Sequence, residues 1–197
     1  MSNNVGSNSL DNLENNHLNP RTETPYLRPI SSSQQDDIEL ERTLSRWVRG
    51  VSGLPPKHVL LHWTAEQPHQ LSATEDWCSL GILKFQANDN PAFVNQTEGS
   101  AQLWRNELIE IMVSFYGPHG QRLATEFRDG VAIAQNREEL TWAGLAFAAS
   151  GAIVSAHELK NNQWVRRYDQ HLTLQRKVVR EYAIHSILEA PTHFFGE

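Results

Sequence analysis

The chain has 197 residues, enough for one well-cored domain with extensions and tight for two. Its 39% hydrophobic and 20% charged residues, with six Trp, exclude collagen-like, coiled-coil and wholly disordered classes. A formal net charge of −6 argues against a protein that coats DNA or an anionic membrane through a basic surface.

A lone cysteine, Cys78, forms no intrachain disulfide and rules out zinc sites built from several thiolates. The opening MSNNVGSNSLDNLENN has no basic or apolar leader segment, and no run approaches the about 20 apolar residues of a membrane span. The expectation is an intracellular protein without membrane contact, even if it leaves the cell in a particle.

Residues 1–34 are rich in Asn, Ser, Thr and Pro and too poor in large apolar groups to offset their ordering entropy. They read as a flexible or partner-ordered arm, with Tyr26, Leu27 and Ile30 as its anchors. Residues 35–190 read as a single domain and 191–197 as a short tail. Over 34–51, Leu40, Leu44, Trp47, Val48 and Val51 recur at helical spacing behind Asp36, Asp37, Glu39 and Glu41, acids that suit a helix N-terminus. Gly53, Pro55 and Pro56 stop that helix. KHVLLHW (57–63) and DWCSLGILKFQAND (76–89) read as strands around a polar loop, NPAFVNQTEGSA (90–101) as a loop, and QLWRNELIEIMVSFYG (102–117) as a long strand.

After it, Leu123, Phe127 and Val131 mark an amphipathic helix over about 118–135. NREELTWAGL (136–145) reads as a second helix with a capping box of Asn136 and Glu139. Strands over about 147–159 and 165–188 follow, parted by KNNQ. The order α-β-β-β-α-α-β-β predicts an α+β fold, with helices packed on one face of a mixed, largely antiparallel sheet.

No stretch carries an enzyme's signature. The corner Gly117-Pro118-His119-Gly120 has the strand–turn–helix layout of a phosphate cradle, but Pro118 removes a backbone donor and Gln121-Arg122 replace the Lys-Ser/Thr pair. A structural corner explains every residue: Gly117 for unusual dihedrals, Pro118 for the first helical position. His58 and His62, four apart on a strand, would sit about 13 Å from one another, too far for one metal ion. No Gly-x-Ser-x-Gly elbow exists, and Cys78 beside Trp77 reads as a small core residue. No catalytic, cofactor-binding or metal-binding residue is expected. The densest basic region is the last strand, with Arg166, Arg167, Arg176, Lys177 and Arg180. Between identical subunits, the acidic helix start offers a counter-surface to it.

The succession MVSFYGPHGQRLATEFRDGV, then LTWAGLAFAASGAIVSAHELKNNQWVRRYDQHLTLQRKVV, resembles the neck or tail terminator family of tailed bacteriophages. Phe115-Tyr116-Gly117 is similar to that family's strand-ending corner, Gly144-Leu145 to its Gly-Leu segment, and Trp164-Val165-Arg166-Arg167 to the start of its second paired strand. The likeness runs from about 38 to 187. It implies a structural virion protein without enzymatic activity, a ring subunit, typically hexameric, at the head–tail junction. Such rings cap the tail tube or sheath, end its polymerisation and present a face to the head connector, while genomic DNA passes the lumen without sequence-specific binding. Assembly would take place in the host cytoplasm. On surface chemistry, the candidate contact residues are Trp164, Arg166 and Arg167, with Asp36, Asp37 and Glu41 opposite. The nearest alternative is a collar or other ring of the same junction. From another class comes a small cytoplasmic enzyme or ligand-binding domain with a cleft near Tyr116, His119 and Arg122. A nucleic-acid-binding module is weakened by the acidic balance.

Overall fold

The computed structural model describes residues 26–32, 34–63, 71–72, 74–160 and 162–184. In chain order it runs β1 (Pro29–Ser32), α1 (Asp37–Ser52), a 3-10 turn (Pro56–His58), β2 (Val59–Leu61), β3 (Trp77–Ala87), β4 (Ala92–Val94) and β5 (Ala101–Tyr116). Then come α2 (Gly120–Ala132), a 3-10 turn (Gln135–Arg137), α3 (Glu138–Trp142), β6 (Leu145–Lys160) and β7 (Gln163–Tyr182). The predicted fold class holds: the described residues form three helices and a seven-stranded mixed sheet, in which, among them, only β2 with β3 runs parallel.

Period-two alternation along β5 decides which face is dry. Ile109, Ile111, Val113 and Phe115 are fully buried, and opposite them on β7 stand Leu174, Leu172, Gln170 and Tyr168. Against this face pack Leu40, Leu44, Trp47 and Val48 of α1, Leu123, Ala124, Phe127 and Val131 of α2, and Leu140 of α3. The aromatic contacts Trp47–Phe127 and Phe115–Phe127, at 5.9 and 5.3 Å between ring centroids, tie two helices to the central strand. Trp47 also donates its indole N–H to the carbonyl of Asn136 at 2.7 Å, so its polar edge is satisfied inside the core. Gly53, at φ 70°, closes α1 as predicted, its N–H bonding Arg49 O.

The sheet has five columns. β5 lies centrally, with β7 on one side and β3 and β4 end to end on the other; β6 and β1 lie end to end along the far side of β7, and β2 flanks β3.

Several local readings change. Pro29–Ser32, inside the segment read as an arm, is strand β1, paired to Tyr182, Glu181 and Arg180. Ala92–Val94, inside the predicted loop, is strand β4, recruited by Gln102–Trp104 of β5 although three residues carry no alternation signal of their own. The predicted strand over 57–63 shortens to β2, because Pro55 and Pro56 lead into a 3-10 turn first. The capping box does not form: Asn136 donates instead to Gly130 O at 2.9 Å and Glu139 pairs with Arg46 of α1, so tertiary partners outcompete the local motif. The readings for 1–25, the later part of the last strand and the tail at 191–197 fall outside the described residues.

Helix α2 begins at Gly120, so Pro118 lies in the turn before it rather than at the first helical position. Gly117 has φ 100°, and a Cβ there would stand 2.4 Å from the carbonyl oxygen of Glu75. Both its dihedral and its contact exclude a side chain. Gly117→Ala is therefore expected to lose about 2 kcal/mol or more in urea unfolding. Gly144→Ala, with φ 73° but open space around it, should lose only about 1 kcal/mol. Equal losses would mean that the collision with residues 75–76 is not the constraint.

Candidate interaction surfaces

The corner after β5 is filled by the protein's own carboxylate. Asp76 Oδ1 accepts the backbone N–H of His119 at 2.8 Å, and Asp76 Oδ2 lies 2.8 Å from His119 Nδ1. Partial burial works to raise the Asp76 pKa, but the hydrogen bonds and charge of His119, reinforced by Arg122, outweigh it and hold the carboxyl below its ordinary range. The positive end of α2 therefore already has its anion. The hollow beside it, lined by Pro118, His119, Gln121, Arg122, Thr125 and Glu126, is open, and Arg122 is paired to Glu126 at 2.9 Å. Tyr116 points to the opposite face of the sheet from the core residue Phe115. Tyr116, His119 and Arg122 therefore do not converge on one cleft.

That opposite face carries a polar network at the end of the sheet. Arg167 donates from Nε to Asp169 Oδ2 at 3.0 Å and from Nη1 to Glu158 Oε2 at 3.3 Å. Asp169 accepts Ser114 Oγ at 2.6 Å, and Glu158 accepts the Tyr116 hydroxyl at 2.9 Å. Trp77 stacks flat on Tyr116, ring centroids 3.9 Å apart. Burial, with the Glu158 hydrogen bond, pushes the Tyr116 hydroxyl up to about 12, so it stays a donor. The charge of Asp169 raises the Arg167 pKa against the desolvation that would lower it. His62 reaches Ser79 Oγ at 2.9 Å by lying over Gly81, where a Cβ would meet its ring at 2.1 Å; burial and Arg167 lower its pKa and favour the neutral ring.

The network braces a projection. The β5 ladder ends at Tyr116 opposite Arg167, whereas β6 and β7 continue together beyond it. On this stalk His157 faces Arg166 across the ladder, and Leu159 faces Trp164. Trp164 is 73% exposed and Leu159 54%, an apolar pair with no cover among the described residues.

The six residues expected at contacts therefore divide. Trp164 and Arg166 lie on the exposed stalk, while Arg167 is spent on Glu158 and Asp169 at its base. Asp36 pairs with Arg176 at 3.0 Å, and Arg176 also bonds Glu107 at 2.6 Å and the carbonyl of Gln35, pinning the chain before α1 to the sheet. Asp37, exposed at φ 50°, and Glu41, half-buried, remain on the first turns of α1 beside the exposed Ile38. Arg166 and Arg176 are ten positions apart on β7, about 33 Å of strand, so the two patches do not meet within one chain.

Sequence reasoning missed Glu158, Asp169, Ser114, His62 and Arg176 as organising groups. Alternation along VRRYDQ was the available signal, since it puts Arg167 and Asp169 on one face. Their partners on β5 and β6 depend on register. The His58–His62 pair dissolves differently: His58 Nδ1 lies 2.7 Å from Asp76 O, and His62 turns to Ser79. Cys78 is fully buried in the core, its thiol pushed up to about 12 by burial, outside the range of a nucleophile at neutral pH.

Arg167→Met leaves Asp169 and Glu158 without their shared cation and is expected to lose about 1–3 kcal/mol. Hydrogen exchange should then speed up over 157–166 before the rest of the sheet, and uniform acceleration would contradict the bracing role. Asp76→Asn is expected to lose about 1 kcal/mol at pH 7. Because the folded pKa lies below the unfolded one, that stabilisation is present above the unfolded value and vanishes as pH falls through the folded value. In urea melts the gap between parent and variant should close below about pH 4; a gap constant to pH 2 would contradict it.

A search of curated proteins returns no match to the chain. A family model described as phage neck terminator protein matches residues 39–197, from the first turn of α1 onward, with β1 outside the match. Among the described residues no helix is long and apolar enough to cross a membrane, and no cluster of three His, Cys, Asp or Glu side chains could hold a metal ion. A domain whose polar groups brace a projecting hairpin, rather than converge in a cleft, is thus matched by a family of structural virion proteins: the chain belongs to the phage neck terminator protein family.

Proposed function

We propose that the protein is the subunit of a homohexameric ring at the head–tail junction, which ends polymerisation of the tail and joins it to the head connector. Genomic DNA passes its lumen without sequence-specific binding, consistent with a net charge of −6. The ring is assembled in the host cytoplasm and leaves in the virion.

The observation that carries this reading is the stalk of β6 and β7: an exposed Leu159–Trp164 pair with Arg166 beside it, held rigid by Arg167, Glu158 and Asp169. Trp and Arg are the residues from which interface hot spots are most often built. Residues 28 and 183 leave from the other end of the sheet, next to the pairing of Pro29 with Tyr182. One domain thus presents distinct surfaces at its two ends, as a piece placed between tail and head requires. The stalk docks on a neighbouring virion protein through Trp164 and Arg166. Asp37 and Glu41 form a second contact surface on α1. The N-terminal arm, read over residues 1–34, reaches an adjacent neck protein.

Electron micrographs of the purified protein, alone and with tail tubes, test the ring directly; a strict monomer in both conditions would overturn it. In the variant Trp164→Ala with Arg166→Glu, thermal unfolding should match the parent, because neither side chain is in the core. Attachment of heads to tails should fall by roughly tenfold or more. Full joining activity in that variant would remove the stalk from the proposed contact.

A further inference from the structure

Two short strands at opposite edges of the sheet have features that the description of one subunit leaves without use. β1 (PISS) and β4 (AFV) are uncharged, and among the described residues neither has a strand on its outer side. Natural edge strands are usually blunted by charges, bulges or cover. β1 follows that rule in part, with Pro29 and a register shift between Pro29 and Ser31, and β6 follows it with two shifts, between Phe147 and Ala149 and between Ser150 and Ile153. Gln170 locks the second of them, donating to Ser150 Oγ and Gly151 O at 2.9 and 2.8 Å. β1 and β4 nevertheless expose Ile30 and Phe93, at 63% and 52%, and β4 pairs with β5 without any register shift.

The two edges are also level. Ser32 pairs with Arg180, Arg180 with Leu103, and Leu103 with Phe93, so one row of the sheet runs from β1 through β7 and β5 to β4. The next row runs from Ser31 through Glu181 and Gln102 to Val94. β1 and β4 run in opposite directions, because each step across this row is antiparallel. An edge facing an identical neighbour's opposite edge at the same level, in the antiparallel sense, allows pairing without slippage along the strands. A contact between two different surfaces closes a ring when no translation accumulates along its axis.

We infer that β1 of one copy pairs antiparallel with β4 of the next, so that the sheet continues from subunit to subunit and the ring is closed by strand addition. The occupant of each edge is a second copy of this chain. The inference rests on the proposed ring and names its lateral contact; the stalk, at the far end of the sheet, stays free for a different partner.

Paired cysteines test this in the full-length protein: Ser31→Cys with Val94→Cys for one row, and Ser32→Cys with Phe93→Cys for the adjacent row. Within one chain the paired positions are three strand spacings apart, about 14 Å, beyond what a disulfide can span. Any cross-link is therefore between copies. Mild oxidation should give a covalent ladder reaching the full ring on a non-reducing gel in at least one row, while the parent with Cys78 alone gives none. Mixing chains that each carry one added cysteine beside Cys78, Ser31→Cys with Val94→Cys, should give the heterodimer. Rings in micrographs without any cross-link in either row would overturn the strand addition and leave the ring standing. Absence of rings and of cross-links together would overturn both.

Discussion

The structure depends on one ladder. β5 and β7 pair antiparallel from Ala101 with Tyr182 to Tyr116 with Arg167 without a register shift, and every other element takes its position from that pair. Because side chains alternate, a slip of one residue would move Ile109, Ile111, Val113 and Phe115 to the open face and bring Ser114 and Tyr116 under the helices. The buried apolar row prevents this. The same register aligns the polar face, so that Ser114 comes level with Asp169 and Tyr116 with Arg167.

Around that ladder the charges work at two levels of burial. Arg176, with its side chain 7% exposed, reaches Glu107, Asp36 and the Gln35 carbonyl, and fixes where the chain leaves β1 and enters α1. A buried guanidinium is stable only when its donors are filled, and removing one partner costs more than the pair contributes. Arg167, more open, connects β6 with β7 at the point where the main sheet ends. In both cases an arginine expected on a surface is used to hold an element in position. Among the described residues, those left available for other molecules include Trp164, Leu159 and Arg166 on the stalk, Asp37 and Glu41 on α1, and the short edges of β1 and β4.

Much of the fold could be read directly. The helical spacing in α1 and α2, the long β5 and the stop at Gly53 rest on local periodicity and local dihedral preference, which a linear sequence carries in full. The failures share a different cause. β1 and β4 are too short for alternation to show and become strands because an edge was waiting for them. Asn136 and Glu139 spell a capping box, yet one bonds Gly130 and the other Arg46, residues that are near only after α1, α2 and α3 have packed.

The candidate surfaces divide in the same way. By itself the sequence determined that Gly117 must turn a corner, that no catalytic or phosphate-binding motif is complete, and that Arg166 and Arg167 lie on a late strand. These are properties of residue type and spacing. Only the tertiary structure decided that Arg167 and Asp36 are occupied internally, that Asp76 fills the end of α2, and that β1 and β4 stand level at opposite edges. The physical reason is that partner choice and level follow from strand register. Register is set by burying one whole face of the sheet at once, which no local stretch of chain encodes.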